Sequence, residues 1–107
     1  MNKKYPIEIP IIKIKDFCQK WKIKEFALFG SVTREDFNQN ESDIDVLITF
    51  FPNHHWAWEI VTMKEELETI FARSVDLVTK RSIEKSENPY RKKSILDSYE
   101  VIYEQAA

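Results

Sequence analysis

The sequence predicts an α/β (α+β) domain in which a small mixed sheet is covered by helices mainly on one side. Apolar residues at helical spacing alternate along the chain with short, continuous apolar runs. The single glycine, Gly30, stands where the first of these runs ends. The 107 residues are enough for one hydrophobic core and too few for two, so we expect a single domain over residues 1–107.

The first half of the chain is predicted to form a helix, a strand and a short second helix. Apolar side chains at intervals of three and four residues indicate a helix that ends near Trp21. A buried strand is expected at 25–29, where Gly30 cuts it off. Ser31 is expected to cap a helix of about two turns that extends to Phe37.

The second half is predicted to supply two further strands, two helices and a short tail. A β-branched, apolar run at 43–51 predicts a strand, and the proline that follows it ends the strand. An amphipathic helix is expected from about 55 to 72, and a third strand at 74–79. Pro89 then begins another helix, and 99–103 is a candidate final strand.

Composition excludes several classes of protein. There are 16 Lys and Arg against 18 Asp and Glu, so the net charge of −2 gives no general attraction to nucleic acid or membranes. Cys18 is the only cysteine, which leaves a structural thiol rather than a disulfide framework or a thiolate metal cluster. Without an apolar run of membrane-spanning length or a signal peptide, the expected location is the cytoplasm.

Three aspartates in strands are the candidates for chemistry. Side chains alternate along a strand, so Asp43 and Asp45 project on one side while Ile44 points to the other. Asp76 repeats the pattern as a lone charge inside the run Val-Asp-Leu-Val. If the two strands are neighbours, the three carboxylates converge, and such oxygen ligands suit Mg²⁺ or Mn²⁺ together with substrate phosphates.

The corner at Gly30 and Ser31 is a candidate anion site. A glycine lets a phosphate approach the backbone, and the start of the following helix offers N–H groups and a positive dipole end. Other motifs do not fit. A Walker loop and a dinucleotide fingerprint need more glycines, and an EF-hand needs its glycine inside the acidic run. The pair His54 and His55 leaves metal binding open as an alternative, but without further spaced ligands we interpret it as a solvated turn.

These residues resemble the signature of the nucleotidyltransferase (polymerase-beta-like) superfamily. The string Phe-Gly-Ser-x-x-Arg-x-Asp, then Ser-Asp-Ile-Asp-x-Leu, then Val-Asp-Leu-Val, is similar to the minimal nucleotidyltransferases, often antitoxin partners of HEPN ribonuclease toxins. The resemblance covers roughly residues 24–104. It implies that Asp43, Asp45 and Asp76 are the catalytic and metal-binding residues. It also implies that Gly30, Ser31 and Arg34 hold the triphosphate.

The resemblance implies transfer of AMP from ATP to an acceptor hydroxyl, with two Mg²⁺ ions and a HEPN-type toxin as partner. Two other functions stay open: an antitoxin that acts by binding alone, and nucleotidylation of a small molecule or an RNA end. Because the expected core uses the whole length, the acceptor should lie on a partner's surface. Candidate contacts are Trp56 with Trp58, and a basic stretch that we otherwise interpret as a solvated face (Lys80, Arg81, Lys85, Arg91, Lys92, Lys93).

Overall fold

The computed structural model of the chain describes residues 5–34, 37–38, 43–53 and 56–106. The helices and strands are α1 (Ile11–Trp21), β1 (Ile23–Phe29), a 3-10 turn (Gly30–Thr33), β2 (Ile44–Phe50), α2 (Glu59–Phe71), β3 (Val75–Thr79), α3 (Lys80–Glu84), α4 (Pro89–Ser98) and β4 (Glu100–Glu104).

The strands of the described chain form one mixed sheet in the order β3-β2-β1-β4. β1 is antiparallel to both of its neighbours, and β2 runs parallel to β3. The sequence prediction of a small mixed sheet is therefore confirmed, and the tail is its fourth strand. The parallel pair has a direct consequence for function, because it brings the beginnings of β2 and β3 to the same end of the sheet.

Two hydrophobic clusters lie on opposite faces of the sheet. The larger cluster packs α1 and α2 against side chains such as Ile44, Val46 and Ile48, all fully buried. The smaller cluster packs Ile83 of α3 and Ile95 of α4 against the other face. This division follows the alternation of side chains along β2. Helices thus cover mainly one face, as predicted, and the second face is only partly covered.

The corner after β1 differs from the prediction. Instead of an α-helix from Ser31 to Phe37, Gly30–Thr33 form a single 3-10 turn, and Arg34 already has extended backbone. Ser31 is not the cap: Phe29 occupies that position without a side-chain hydrogen bond. The turn is closed by the Thr33 hydroxyl, which donates to the Gly30 carbonyl at 2.7 Å. The Arg34 N–H also donates to the Ser31 carbonyl at 2.9 Å, so the turn ends at Arg34.

The boundaries of other helices and strands also differ from the predicted ones. α2 begins at Glu59 rather than near 55, and β1 begins at Ile23 rather than at residue 25. α3 was not predicted from the sequence; its first turn is capped by the Thr79 hydroxyl, which accepts from the Ser82 N–H. The helix at Pro89 is confirmed, with the Asn88 side chain accepting from two backbone N–H groups.

Cys18 is fully buried in the larger cluster, and burial raises the pKa of its thiol to about 12. The prediction of a structural thiol fits this environment. No helix in the described ranges combines the length and the apolar character needed to cross a bilayer.

Candidate nucleotidyltransferase site

The aspartates singled out from the sequence lie at one end of the sheet. Asp43 immediately precedes β2 and is exposed. Asp45 lies in β2, where it is opposite Phe29 of β1 on one side and Asp76 of β3 on the other. Because paired positions share a face, the Asp45 and Asp76 side chains project from the same face as the smaller cluster. The fold therefore brings the predicted positions together.

The ionised form of Asp45 is disfavoured in this site. Its side chain is half-buried, and desolvation together with the charges of Asp76 and Asp43 raises its pKa from 3.8 to about 6. The positive charges of Arg91 and Arg34 act in the opposite direction without cancelling this effect. The site thus holds more negative charge than its own cations balance, which is the condition under which a bound metal ion is favoured.

Two cations at this site were not identified as site residues from the sequence. Arg91 of α4 reaches Asp76, with 3.9 Å between the guanidinium Nη2 and the carboxylate Oδ2. Lys64 of α2 hydrogen-bonds Glu68 at 2.9 Å, and that bond, ahead of the charges of Asp43 and Asp76, raises the Lys64 pKa. No local pattern marks either residue, because each approaches the aspartates from a helix distant in sequence.

Gly30 is required by its neighbour across the sheet. Its φ is +73°, a conformation in which glycine is favoured, and a Cβ built there would overlap Oδ2 of Asp45 and lie 3.1 Å from its Cγ. Among the described residues, Lys22 and Ala72 also have positive φ, each at the end of a helix. A non-glycine residue tolerates that conformation at a cost of about 1–2 kcal/mol. The sole glycine stands where the Asp45 carboxylate leaves no room for a side chain.

The donor set suits a hard divalent cation, because carboxylate oxygens are the ligands that Mg²⁺ and Mn²⁺ prefer. Within the described residues, however, no group of three acidic, histidine or cysteine side chains is compact enough to hold a metal ion. The Asp76 carboxylate instead lies 3.9 Å from the Arg91 guanidinium. The register places Asp45 and Asp76 side by side, while the role of the three aspartates as a metal site stays a prediction.

Of the residues predicted as contacts for a partner, some have a structural role and others are exposed. Trp56 is structural: its indole N–H donates to the Trp21 carbonyl at 2.9 Å, and the two rings meet edge to face. Trp58 is 81% exposed. Within the basic stretch, Lys92 and Lys93 bond locally to α3 and α4. Lys80 and Arg91 depart from the predicted solvated face, because Lys80 donates to the Tyr99 hydroxyl at 3.2 Å and Arg91 reaches Asp76. His54 and His55 lie outside the described residues.

The profile of the nucleotidyltransferase domain family matches residues 11–102. The chain belongs to this family. The match spans every element from α1 into β4, so the nucleotidyltransferase fold covers the sheet, both apolar clusters and the end of the sheet that carries the aspartates.

Similar proteins support this assignment. Two relatives from Methanocaldococcus jannaschii, both provisionally named as protein adenylyltransferases, are 46% identical over 77 residues (71% of this chain, 73% of the relative) and 39% identical over 77 residues (72% and 74%). Among solved structures, a toxin–antitoxin complex with AMP-PNP matches with a TM-score of 0.69 at 19% identity, covering 91% of this chain and 75% of that one. The MNT antitoxin in complex with a tri-AMPylated HEPN toxin of Shewanella oneidensis matches with a TM-score of 0.59 at 19% identity (88% and 69%). At these identities the structural matches establish the shared nucleotidyltransferase fold.

Proposed function

We propose that this nucleotidyltransferase is an antitoxin that transfers AMP from ATP to a hydroxyl, a tyrosine in the first instance, of a HEPN-type ribonuclease toxin, and neutralises the toxin in this way. The observation that carries the proposal is Asp45, a half-buried carboxylate with a raised pKa between Gly30 and Asp76. The names of the archaeal relatives and the toxin–antitoxin complexes with the same fold support the choice of a protein acceptor.

Asp43, Asp45 and Asp76 would hold one or two Mg²⁺ ions, for which Mn²⁺ can substitute. The bound metal would neutralise charge on the triphosphate and lower the pKa of the attacking hydroxyl. Asp45 is the central ligand, because both neighbours add to its negative surroundings. Rotation of the Asp76 side chain away from Arg91 would bring the third carboxylate toward the other two.

Gly30, Ser31 and Arg34 would hold the triphosphate. The 3-10 turn is too short for a helix dipole of the kind the sequence suggested, so its first N–H groups and the Arg34 charge supply the attraction. Arg34 is close enough to lower the pKa of Asp45. When Asp76 turns toward the cation, Arg91 becomes available for a phosphate oxygen.

The reaction is an in-line displacement at the α-phosphorus of ATP. The acceptor oxygen forms a bond to that phosphorus while the bond from phosphorus to the pyrophosphate oxygen breaks, and pyrophosphate leaves. Asp76, on the acceptor side, takes the hydroxyl proton, which a tyrosine with a pKa near 10 would not release by itself. The protein contributes mainly by positioning and charge stabilisation.

The proposal is tested by incubating the protein with its HEPN-type partner, ATP and Mg²⁺, separating the two, and weighing the partner by intact-mass spectrometry. We expect one or more AMP units on the partner and loss of its ribonuclease activity that persists after separation. The Asp45→Asn protein should add none. An unmodified partner that the Asp45→Asn protein silences equally would show inhibition by binding alone and would contradict the proposal.

A further inference from the structure

β3 lies at the edge of the described sheet, with β2 as its neighbour there. The Ile44 N–H donates to the Ser74 carbonyl at 2.9 Å, so the backbone groups of Asp76 and Val78 face β2 in the parallel ladder. Those of the alternate residues, with Leu77 at the centre, therefore point away from the sheet. The Val75 N–H confirms this direction, because it donates outward to Glu68 Oε2 at 3.0 Å.

A cleft runs along this edge from the carboxylate site. It has a volume of about 480 Å³ and is bounded by Ile60 of α2 on one side and by Ser82 and Ile83 of α3 on the other, with Asp76 and Arg91 among its lining residues. The floor is β3 itself, from Asp76 to Thr79. An extended chain placed in the cleft would therefore meet backbone groups, apolar side chains and hydroxyls, and would reach Asp76.

Large apolar side chains are exposed close to this cleft in sequence. Trp58 is 81% exposed and precedes Ile60 by two residues, while Tyr90 is 86% exposed and directly precedes Arg91. Exposed aromatic residues are typical of surfaces that bind other proteins. They favour a protein segment as the occupant over a small molecule.

The geometry points to the edge of β3 as the docking site for the acceptor: an extended segment of the acceptor protein pairs with β3 as a fifth strand, through the N–H and C=O of Leu77, and presents its hydroxyl side chain to Asp76. This inference rests on the proposed function, because it specifies how the acceptor reaches the same carboxylates. Backbone pairing at a sheet edge is a known mode of peptide recognition that tolerates varied side chains.

Strand pairing would also select the side chain that reacts. Neighbouring strands lie about 4.8 Å apart, and directly opposed residues project on the same face. The residue opposite Asp76 would therefore lie on the face that carries Asp45 and Asp76, next to the residue that pairs with Leu77. A tyrosine there would project beside Asp76 on the face that carries the carboxylates, whereas its sequence neighbours would point to the other face.

The test uses two pools of nonapeptides with randomised flanks, one with a central tyrosine and one with a central phenylalanine. Leu77→Pro removes the outward N–H and leaves the bonds to β2 in place, since proline is tolerated on edge strands. Its control, Leu77→Ala, loses the same side chain but keeps the N–H. We expect transfer of AMP to the tyrosine pool to fall at least tenfold in Leu77→Pro relative to Leu77→Ala, with the KM for ATP within twofold.

A second matched pair keeps the test decisive if Leu77→Pro does not fold. Ser82→Arg fills the cleft, whereas Ser82→Ala loses the same hydroxyl; transfer should fall at least tenfold in the first relative to the second. Equal transfer within the folded pairs would overturn the docking site. Binding is followed separately through the Leu77 amide resonance, which both pools should shift without ATP. A shift without any transfer would retain the docking site and contradict the proposed function; no shift and no transfer would overturn the docking site.

Discussion

The Asp45→Asn protein is expected to lose AMP transfer by at least about a thousandfold, and yet to be more stable than the wild type in the absence of metal at neutral pH. The folded-state pKa of Asp45 is raised to about 6 from 3.8, so its ionisation opposes folding above that pH. Because the group is only half-buried, solvent screening reduces the gain from a neutral amide to about 1 kcal/mol. That free energy corresponds to about 5 °C in melting temperature.

The pH and metal dependence identify the cause. A raised pKa means that stability is present at low pH and lost as the pH rises through about 6. The difference between variant and wild type should therefore shrink below pH 6 and vanish near pH 4. Mg²⁺ with ATP should stabilise the wild type and leave Asp45→Asn unchanged. Asp97→Asn, at an exposed position of α4 and paired with Lys93, is the control and should match the wild type in activity.

Differential scanning fluorimetry with and without Mg²⁺ and ATP measures these effects. A metal-free Asp45→Asn protein that melts below the wild type at pH 7.5 would contradict the charge repulsion proposed for the site. Equal stabilisation of both proteins by Mg²⁺ and ATP would show that Asp45 is not the central ligand.

Gly30→Ala is expected to reduce transfer by at least about a hundredfold and to destabilise the protein by about 2–4 kcal/mol. The methyl group would overlap Oδ2 of Asp45, and the φ of +73° adds about 1–2 kcal/mol for any residue with a Cβ. Either the turn or the Asp45 carboxylate must move, so the phosphate site and the cation site fail together.

A double-mutant cycle separates the overlap from the backbone cost. In an Asp45→Ala background the two atoms nearest to the added methyl group, Oδ2 and Cγ of Asp45, are absent, and the Cβ of residue 45 lies at an ordinary 3.4 Å. Gly30→Ala should then cost only the backbone strain in urea denaturation. An equal loss of stability in both backgrounds would show that Gly30 is needed for its turn alone and not for the room it leaves to Asp45.

Local residue patterns were enough to predict most of the helices and strands, and to select Asp43, Asp45 and Asp76 as candidate site residues. Alternation in β2 correctly predicted which side chains face the core, because burial of the Ile44 face is a local consequence of strand geometry. The short α-helix predicted after Gly30 is wrong, since Gly30–Thr33 form a 3-10 turn and Arg34 already has extended backbone. A cap residue followed by polar residues does not distinguish a 3-10 turn from an α-helix, because both can begin in the same way.

Long-range contacts explain what the sequence did not reveal. Arg91 meets Asp76 only because α4 packs on the face of the sheet left open by α1 and α2. The reason for the sole glycine also depends on register: Phe29 pairs with Asp45, so the next residue lies against the Asp45 carboxylate. The spacing of residues along the chain does not predict the pairing of Phe29 with Asp45, although this pairing is the reason that residue 30 must be a glycine.

The most direct test of the account is anomalous diffraction from crystals containing Mn²⁺ and a non-hydrolysable ATP analogue. We predict a manganese peak in contact with carboxylate oxygens of Asp43 and Asp45, with Asp76 turned away from Arg91 toward the metal and the triphosphate beside Gly30 and Ser31. A triphosphate bound elsewhere, or bound beside Gly30 with manganese absent from these three carboxylates, would contradict it.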